Sequence, residues 1–494
     1  MNKRFTKTVL AVLMILGIML QDIAAFATTV PYDTYNYDYW DDIVYTPAPF
    51  IPDTSYSGSA FKLNGESIGN FKNPQDVYVA EDAIYVADTD NKRVVRLTKD
   101  LKECTEILTS FEYNGSKVDF DQPYGVYVSS RNWLYVAEKA QKCIWVFDED
   151  RNVQMCIRDP KSEIIDDNFD FTPLKVTVDY ANRVYVVCAG KTEGILVFDD
   201  EGNFTSFFGT ISVTISVWER IWRKLSTKEQ RSRQVLYIPT EFTNLDVDPD
   251  GFVYTTNYDS NGMQAVMKLN PKGQDVIRKG VKGTIAGDIQ ITGSGDYSGA
   301  SRIVDVVYRG RGIYTILDQK RGRVFTYDSE GNLLYVFGGL GSQAGTFQMP
   351  VAVEQLGDKL LVLDAGRNEL MMFAITEYGS LIDEAVGLRY DGDEKLAVEV
   401  WQKVLKLDEN YELANDGIGK AYLTSGDNKQ AMKYLKLAMD RKYYSVAFRR
   451  YRNEWLKKNL GYILSGVIVL IVAIVVTTSV MNKKKGKKKK EGLL

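Results

Sequence analysis

One phrase returns six times along this chain and limits what it can fold into. The first copy spans Phe71 to Leu97. It has a proline, Pro74, then Val77 and Val79 in alternation, a short acidic turn, Ile84-Tyr85-Val86-Ala87-Asp88, a polar turn at Asn91-Lys92-Arg93, and a run from Val94 to Leu97. β-Branched and aromatic residues at period two, cut by polar turns, predict short antiparallel strands with one face in a core. The later copies open at Pro123, Pro173, Leu245, Asp305 and Pro350. Equivalent positions fall at Tyr85, Tyr135, Tyr185, Tyr254, Tyr314 and Leu361, in steps of 50, 50, 69, 60 and 47 residues. Several strands per unit at such a period predict propeller blades. The expected fold is therefore mainly β, a six-bladed β-propeller.

The Pro-x-x-Val-x-Val opening, the Tyr-Val-Ala-Asp strand and the Asn-x-Arg turn of the first copy resemble NHL repeats, over about Ser57 to Glu377. Later copies depart from that pattern. The fourth has no Pro directly before its first strand, the fifth is shifted by one residue before Asp318, and the sixth has Glu369 where the first has Arg93. The resemblance implies a binding platform more often than an enzyme.

Before the repeats, residues 1–27 read as a signal peptide: Lys3, Arg4 and Lys7, an apolar run from Val9 to Leu20, and Ala25-Phe26-Ala27 as cleavage site. Residues 28–56 form an acidic leader rich in Tyr and Pro, either an extended segment packed loosely on the propeller or an arm whose rings stack on a sugar or partner. The stretch Ala60–Gly69 resembles the blade-ending phrase Phe325–Gly338, which predicts that it closes the ring on the last blade and leaves no open edge.

The propeller is assigned to residues 57–377, with insertions near 209–237 and 280–300. The first insertion places Val217, Trp218, Ile221, Trp222 and Leu225 on one helical face, with Arg220, Arg223 and Lys224 on the flanks. Such a helix either packs on the propeller's side or lies on a membrane or partner. The second is rich in Gly and Ser and reads as a surface loop.

After Glu377 the period becomes helical. Ile418-Gly419, Tyr422, Gly426, Ala431, Leu435 and Ala438 resemble the packing positions of a tetratricopeptide repeat, and a more degenerate copy at Leu388, Gly392, Ala397, Trp401 and Val404 precedes it by 34 residues. Two tetratricopeptide-like repeats are thus expected over 378–445, as a peptide-binding groove or a spacer. A juxtamembrane helix over 446–459 and a transmembrane helix over 460–482 follow. Tyr462 to Met481 is long enough to cross a bilayer core of about 30 Å. Lys457 and Lys458 precede it, whereas Lys483, Lys484, Lys485, Lys487, Lys488, Lys489 and Lys490 follow in a tail over 483–494. This asymmetry puts the C-terminus in the cytoplasm and the bulk outside a cell membrane, the orientation a cleaved signal also requires. The tail lysines would face anionic lipid.

Composition narrows the function. Setting aside Lys3, Arg4, Lys7 and the tail lysines from the 61 basic residues, and Asp22 and Glu491 from the 65 acidic ones, leaves about −12 on the exterior portion. That charge is unsuited to nucleic acid. The chain has no His, which removes the commonest general base and zinc ligand. Propeller lactonases hold a metal with Glu, Asn and Asp instead, so Asp88, Glu138, Asn257, Asp318 and Asp364, at the ends of second strands, keep that alternative open with a divalent ion at the mouth. Polar turn residues belong at strand ends for structural reasons as well. Cys104, Cys143, Cys156 and Cys188 form no C-x-x-C motif.

The sequence thus predicts a non-enzymatic, membrane-anchored binding or scaffold protein with no catalytic or metal residues and no cofactor, presenting a propeller to a protein or glycan of the cell envelope. The candidate mouth comprises Gln75, Tyr124 and Leu174 before first strands, and Asp88, Glu138, Asp364 and Arg367 after second strands. A metal-dependent lactonase-like hydrolase is the alternative, and a structural spacer the third reading.

Overall fold

The structure is a computed structural model that describes residues 30–165, 169–209, 241–259, 264–279, 285–289 and 299–491. The signal-peptide assignment and the Trp218, Ile221, Trp222 and Leu225 face lie outside the described residues, as does most of the second insertion.

Six antiparallel sheets form the blades. Blade one consists of Asp76–Val79, Ala83–Asp88, Arg93–Thr98 and Cys104–Leu108; blade two of Pro123–Val128, Leu134–Glu138, Cys143–Phe147 and Val153–Ile157. Blade three repeats this with Pro173–Val178, Val184–Cys188, Ile195–Phe198 and Phe204–Phe208. Blade four has three strands among the described residues, Phe242–Val247, Val253–Asn257 and Val266–Leu269. Blade five is built from Ile303–Gly310, Ile313–Asp318, Arg323–Tyr327 and Leu333–Phe337. Blade six adds Pro350–Leu356, Lys359–Asp364 and Glu369–Ile375.

Period-two alternation places both faces of each middle strand against a neighbouring blade, so the core lies between blades. Val77, Ile84, Val86 and Leu97 of blade one pack on Ala352, Leu361 and Leu363 of blade six. On its other side Tyr85 and Val94 meet Val126, Val136 and Trp145 of blade two. All six marker positions, from Tyr85 to Leu361, are buried.

The ring closes through the N-terminal segment, but with a different strand from the one expected. Phe50–Ser57 pairs along all of Glu369–Ile375 as the outer strand of blade six. The expected closing stretch instead folds back on itself, Lys62–Leu63 against Glu66–Ser67. The reason is local: Asn64 and Gly65 both have positive φ, 52° and 87°, as a tight hairpin turn requires. The leader is also not loosely packed. Tyr35–Tyr37 and Ile43–Tyr45 extend the sheet of blade five, and Tyr32 is buried beside Phe337 and Phe373 with its hydroxyl donating to the Phe50 carbonyl at 3.0 Å.

Helix α1 (Glu377–Tyr390) starts on Thr376, whose side chain accepts from the Gly379 amide. It docks on blade five through Asp383, which accepts from Arg309 at 2.7 Å and from the Tyr335 hydroxyl at 2.8 Å. Glu394–Leu494 forms a second compact unit. Its helices are α2 (Glu394–Leu407), α3 (Glu412–Ser425), α4 (Asn428–Leu437) and α5 (Arg441–Glu491). Small residues allow close approach within it: a Cβ on Gly417 would lie 2.5 Å from the Trp401 indole nitrogen, and one on Gly419 2.7 Å from Leu435. Gly426, φ 89°, caps α3 in the left-handed conformation. Helix α5 contains a span long and apolar enough to cross a membrane, and its residues from Tyr462 to Met481 are exposed all round.

Candidate functional site

The innermost strand of every blade contributes side chains to a narrow axial channel. One layer holds Tyr78, Tyr127, Thr177, Asp246 and Glu354, each paired to the marker position of its blade; in blade five, Tyr308, paired to Tyr314, lies on the opposite side of its strand from Asp305 and stacks on Tyr254 of blade four. Two residues earlier along the strands lie Asp76, Gly125, Lys175 and Asn244, with Asp305 at a register shift in blade five. The inner strands thus carry four carboxylates, of which Asp76 and Asp305 act on the Lys175 ammonium.

These groups stitch the blades together. Lys175 is ion-paired with Asp76, both almost fully buried, and reaches the Gln75 carbonyl at 3.1 Å, crossing from blade three to blade one. Asp76 accepts from the Val126 amide of blade two at 2.9 Å, Asp246 from the Tyr308 amide of blade five at 2.7 Å, and Asp305 from the Val353 amide of blade six at 2.6 Å. Asn244 donates to Asp305 across blades four and five. The three bonds to Val126, Tyr308 and Val353 each satisfy an amide of the adjacent blade's innermost strand that would otherwise be buried without a partner. Gly125 is required here, because a Cβ would lie 2.3 Å from the Leu174 carbonyl oxygen.

Burial dominates the electrostatics. It raises the carboxyls of Asp246 to about 6 and Asp305 to about 8, the latter although Lys175 opposes it. Glu354 is raised well above its usual range by burial and then by Asp246 and Asp305. Burial works against the Lys175 ammonium, and Asp76 and Asp305 more than offset it.

The predicted mouth lies on the top face, which carries the turns between second and third strands. Asp88, Glu138 and Asp364 are fully buried and hold backbone. Asp88 accepts from the Lys72 amide at 2.7 Å and from Arg93 at 2.6 Å; Glu138 accepts from the amides of Asp121, Gln122 and Ala140. Asp364 accepts from the amides of Gln348, Met349, Gly366 and Arg367. Asp318 does the same with Arg302, Lys320 and the Ser301 hydroxyl. In four blades, then, the carboxylate ending strand two clamps the segment entering strand one. Arg367 spends its guanidinium on the carbonyls of Gly341 and Gln343, both at 2.9 Å. Gln75, Tyr124 and Leu174 are half-buried at the axis. Gln75 supplies the carbonyl that Lys175 reaches, and Tyr124 carries the Lys139 ammonium 4.9 Å above its ring. The structure places these last three at the starts of first strands and leaves Asp88, Glu138, Asp364 and Arg367 in separate clamps.

A lactonase-type metal site is not met by these residues. Among the described residues no group of three or more Cys, Asp or Glu is placed to hold a metal ion. Asn257, the remaining candidate, donates to the Gln264 carbonyl across its own turn.

The bottom face is different. There the turns after the first strands of blades one to three surround a cleft of 630 Å³, lined by Tyr78, Glu81, Tyr127, Ser130, Asn132 and Tyr180 among others. Tyr78 and Tyr127, with ring centroids 4.6 Å apart, line both this cleft and the channel above it. Tyr180 stands at the rim, 67% exposed. The sequence signal for this site was Tyr180 itself, an aromatic residue in a turn. Of the lysine tail, Lys483 is exposed; the side chains of the six lysines that follow it, from Lys484 on, lie outside the described residues.

No family model matches the chain, and no curated protein matches its sequence. Solved structures similar to it include a catalytically inactive virginiamycin B lyase from Staphylococcus aureus with quinupristin, at 11% identity, covering 71% of this chain and 97% of that one with a TM-score of 0.39. Kuenenia stuttgartiensis hydrazine synthase matches at 11% identity over 64% of this chain and 99% of that one, TM-score 0.39. A Bacteroides thetaiotaomicron protein of unknown function matches at 14% identity over 65% and 74%, TM-score 0.42. Likenesses this loose transfer no chemistry.

Proposed function

We propose that this chain is a non-enzymatic, membrane-anchored binding protein that presents its propeller to a protein or glycan of the cell envelope. The observation that carries the reading is the contrast between the two faces: the carboxylates of the upper turns and Lys175 are tied up in bonds within and between blades, while the bottom offers an open cleft rimmed by tyrosine and small polar side chains. Aromatic faces with hydroxyl and amide neighbours suit sugars and peptide segments alike. The blade phrases, which resemble NHL repeats, favour a platform. In this account α5 is the anchor, the seven-lysine tail lies on cytoplasmic anionic lipid, and helices α1–α4, whose residues 378–445 resemble two tetratricopeptide repeats, set the height of the disc or dock a membrane partner.

Affinity capture from the native envelope tests this, using the full chain beside the Tyr180→Ala and Asn132→Ala variants. The expected result is one partner whose recovery falls at least about tenfold with the bottom-face variants and is unchanged by Tyr124→Ala. Loss confined to Tyr124→Ala would overturn the assignment of the face.

A further inference from the structure

Blade two contains a pair of thiols that the binding role does not use. Its third strand, Cys143–Phe147, pairs with its outer strand, Val153–Ile157, in a register that sets Trp145 opposite Cys156 and Ile144 opposite Ile157. Side chains opposite one another share a face, and alternate residues do so too. Cys143, Trp145, Cys156 and Arg158 therefore stand on one side of the sheet, with the two cysteines as diagonal neighbours.

Arg158 donates two N–H groups to the Cys156 sulfur, from Nε at 3.0 Å and Nη2 at 2.7 Å. Its guanidinium also lies 5.6 Å from the centre of the Trp145 ring, which fixes its position. Cys143 is fully buried and Cys156 half-buried, so only the second is open to a reagent. The groups facing Cys156 are Cys143 from the third strand and Arg158 and Asp159 at the end of its own strand, while Tyr113, of the strand Ser110–Tyr113, packs its ring on Trp145 and acts on Arg158. The neighbouring Cys143 and the two hydrogen bonds from Arg158 bring the Cys156 thiol down to about 7, while Cys143 is pushed up. A thiolate held by a cation beside a second thiol is the arrangement of reactive dithiols.

We propose that Cys156 is the reactive thiolate of a dithiol pair, and that small disulfides convert Cys143 and Cys156 into a cross-strand disulfide in blade two. The Cys156 thiolate attacks one sulfur of a disulfide R–S–S–R, giving Cys156–S–S–R and R–S⁻. Cys143 then loses its proton, attacks the Cys156 sulfur, forms Cys143–S–S–Cys156 and expels the second R–S⁻. Two protein thiols are oxidised by two electrons, and one small disulfide is reduced to two thiols. Diagonal neighbours sit slightly too far apart for a bridge without adjustment, and the outer strand, paired on one side only, is the element that can shift.

The full chain in detergent, incubated with oxidised glutathione, tests the pair. Intact mass should fall by two hydrogens, and the bridge should map to the peptides carrying residues 143 and 156. Cys143→Ala should stop at a glutathione adduct on Cys156, and Cys156→Ala should abolish both products. Arg158→Gln should slow alkylation of Cys156 at neutral pH by about fivefold for the first pKa unit its thiol regains and about tenfold for each further unit. Should Cys143→Ala fail to fold, the alkylation rates of the four cysteines in the unsubstituted chain decide. Equal or faster reaction at Cys104 or Cys188, or an adduct on Cys156 that never closes, would overturn the proposal.

Discussion

Lys175, buried in the axial channel, is ion-paired with Asp76, and its removal should be felt at once. Lys175→Met leaves Asp76 buried without its counter-charge, which costs about 3–5 kcal/mol; pairing it with Asp76→Leu should return much of that loss. Urea unfolding of the detergent-solubilised chain measures both. The same axis sets a pH dependence. Asp246 and Asp305 have folded values of about 6 and 8, above their ordinary 3.8, so the folded state keeps protons that the unfolded chain releases. Their stabilising contribution is complete below about 4 and is lost as pH rises through those values, by up to about 1.4 kcal/mol per pH unit for each proton. Thermal unfolding should therefore show a higher midpoint near pH 5 than near pH 8; the opposite order would contradict the account. Residue identity announced little of this. Asp76, Lys175, Asp246, Asp305 and Glu354 interrupt the apolar alternation, but positions some fifty residues or more apart meet only once the ring is closed.

At the scale of elements, the closing strand and the helical pair carry the clearest tests. Phe50, fully buried, stacks on Phe337 at 5.0 Å and lies beside Tyr335. Phe50→Ala should cost about 3–5 kcal/mol, seen as a lower urea midpoint with earlier exposure of blade six to hydrogen exchange. In the second unit, Gly417→Ala forces a methyl onto the Trp401 ring, and overpacking of this kind costs about 1–3 kcal/mol, read as loss of helical signal at lower temperature. Strands were legible because alternation and burial agree at every marker position. The closing strand was not, since Phe50–Ser57 contains Pro52 and Asp53 and lacks clean alternation, whereas the decoy at Ala60–Gly69 mimics a blade end. Its Asn64-Gly65 turn was the discriminating signal.

For the whole molecule, sixfold recurrence was enough to specify the number of blades, because each unit can bury its faces only against two neighbours. The candidate site was far less legible. Strand-end carboxylates such as Asp88 and Glu138 have the chemistry of ligands, yet here they cap backbone amides, and a sequence does not show which way a turn carboxylate faces. The cleft on the opposite face arises from three turns, two of which share a left-handed Asn (Asn132 and Asn182) that marks the turn but not the cleft. What remains most consequential is where the propeller stands relative to the membrane. Protease treatment of intact cells, followed with antibodies to the propeller and to the lysine tail, measures it. The account requires the propeller to be reached and removed from whole cells while the tail stays protected until lysis; a propeller protected until lysis, or a tail cut from outside, would contradict it.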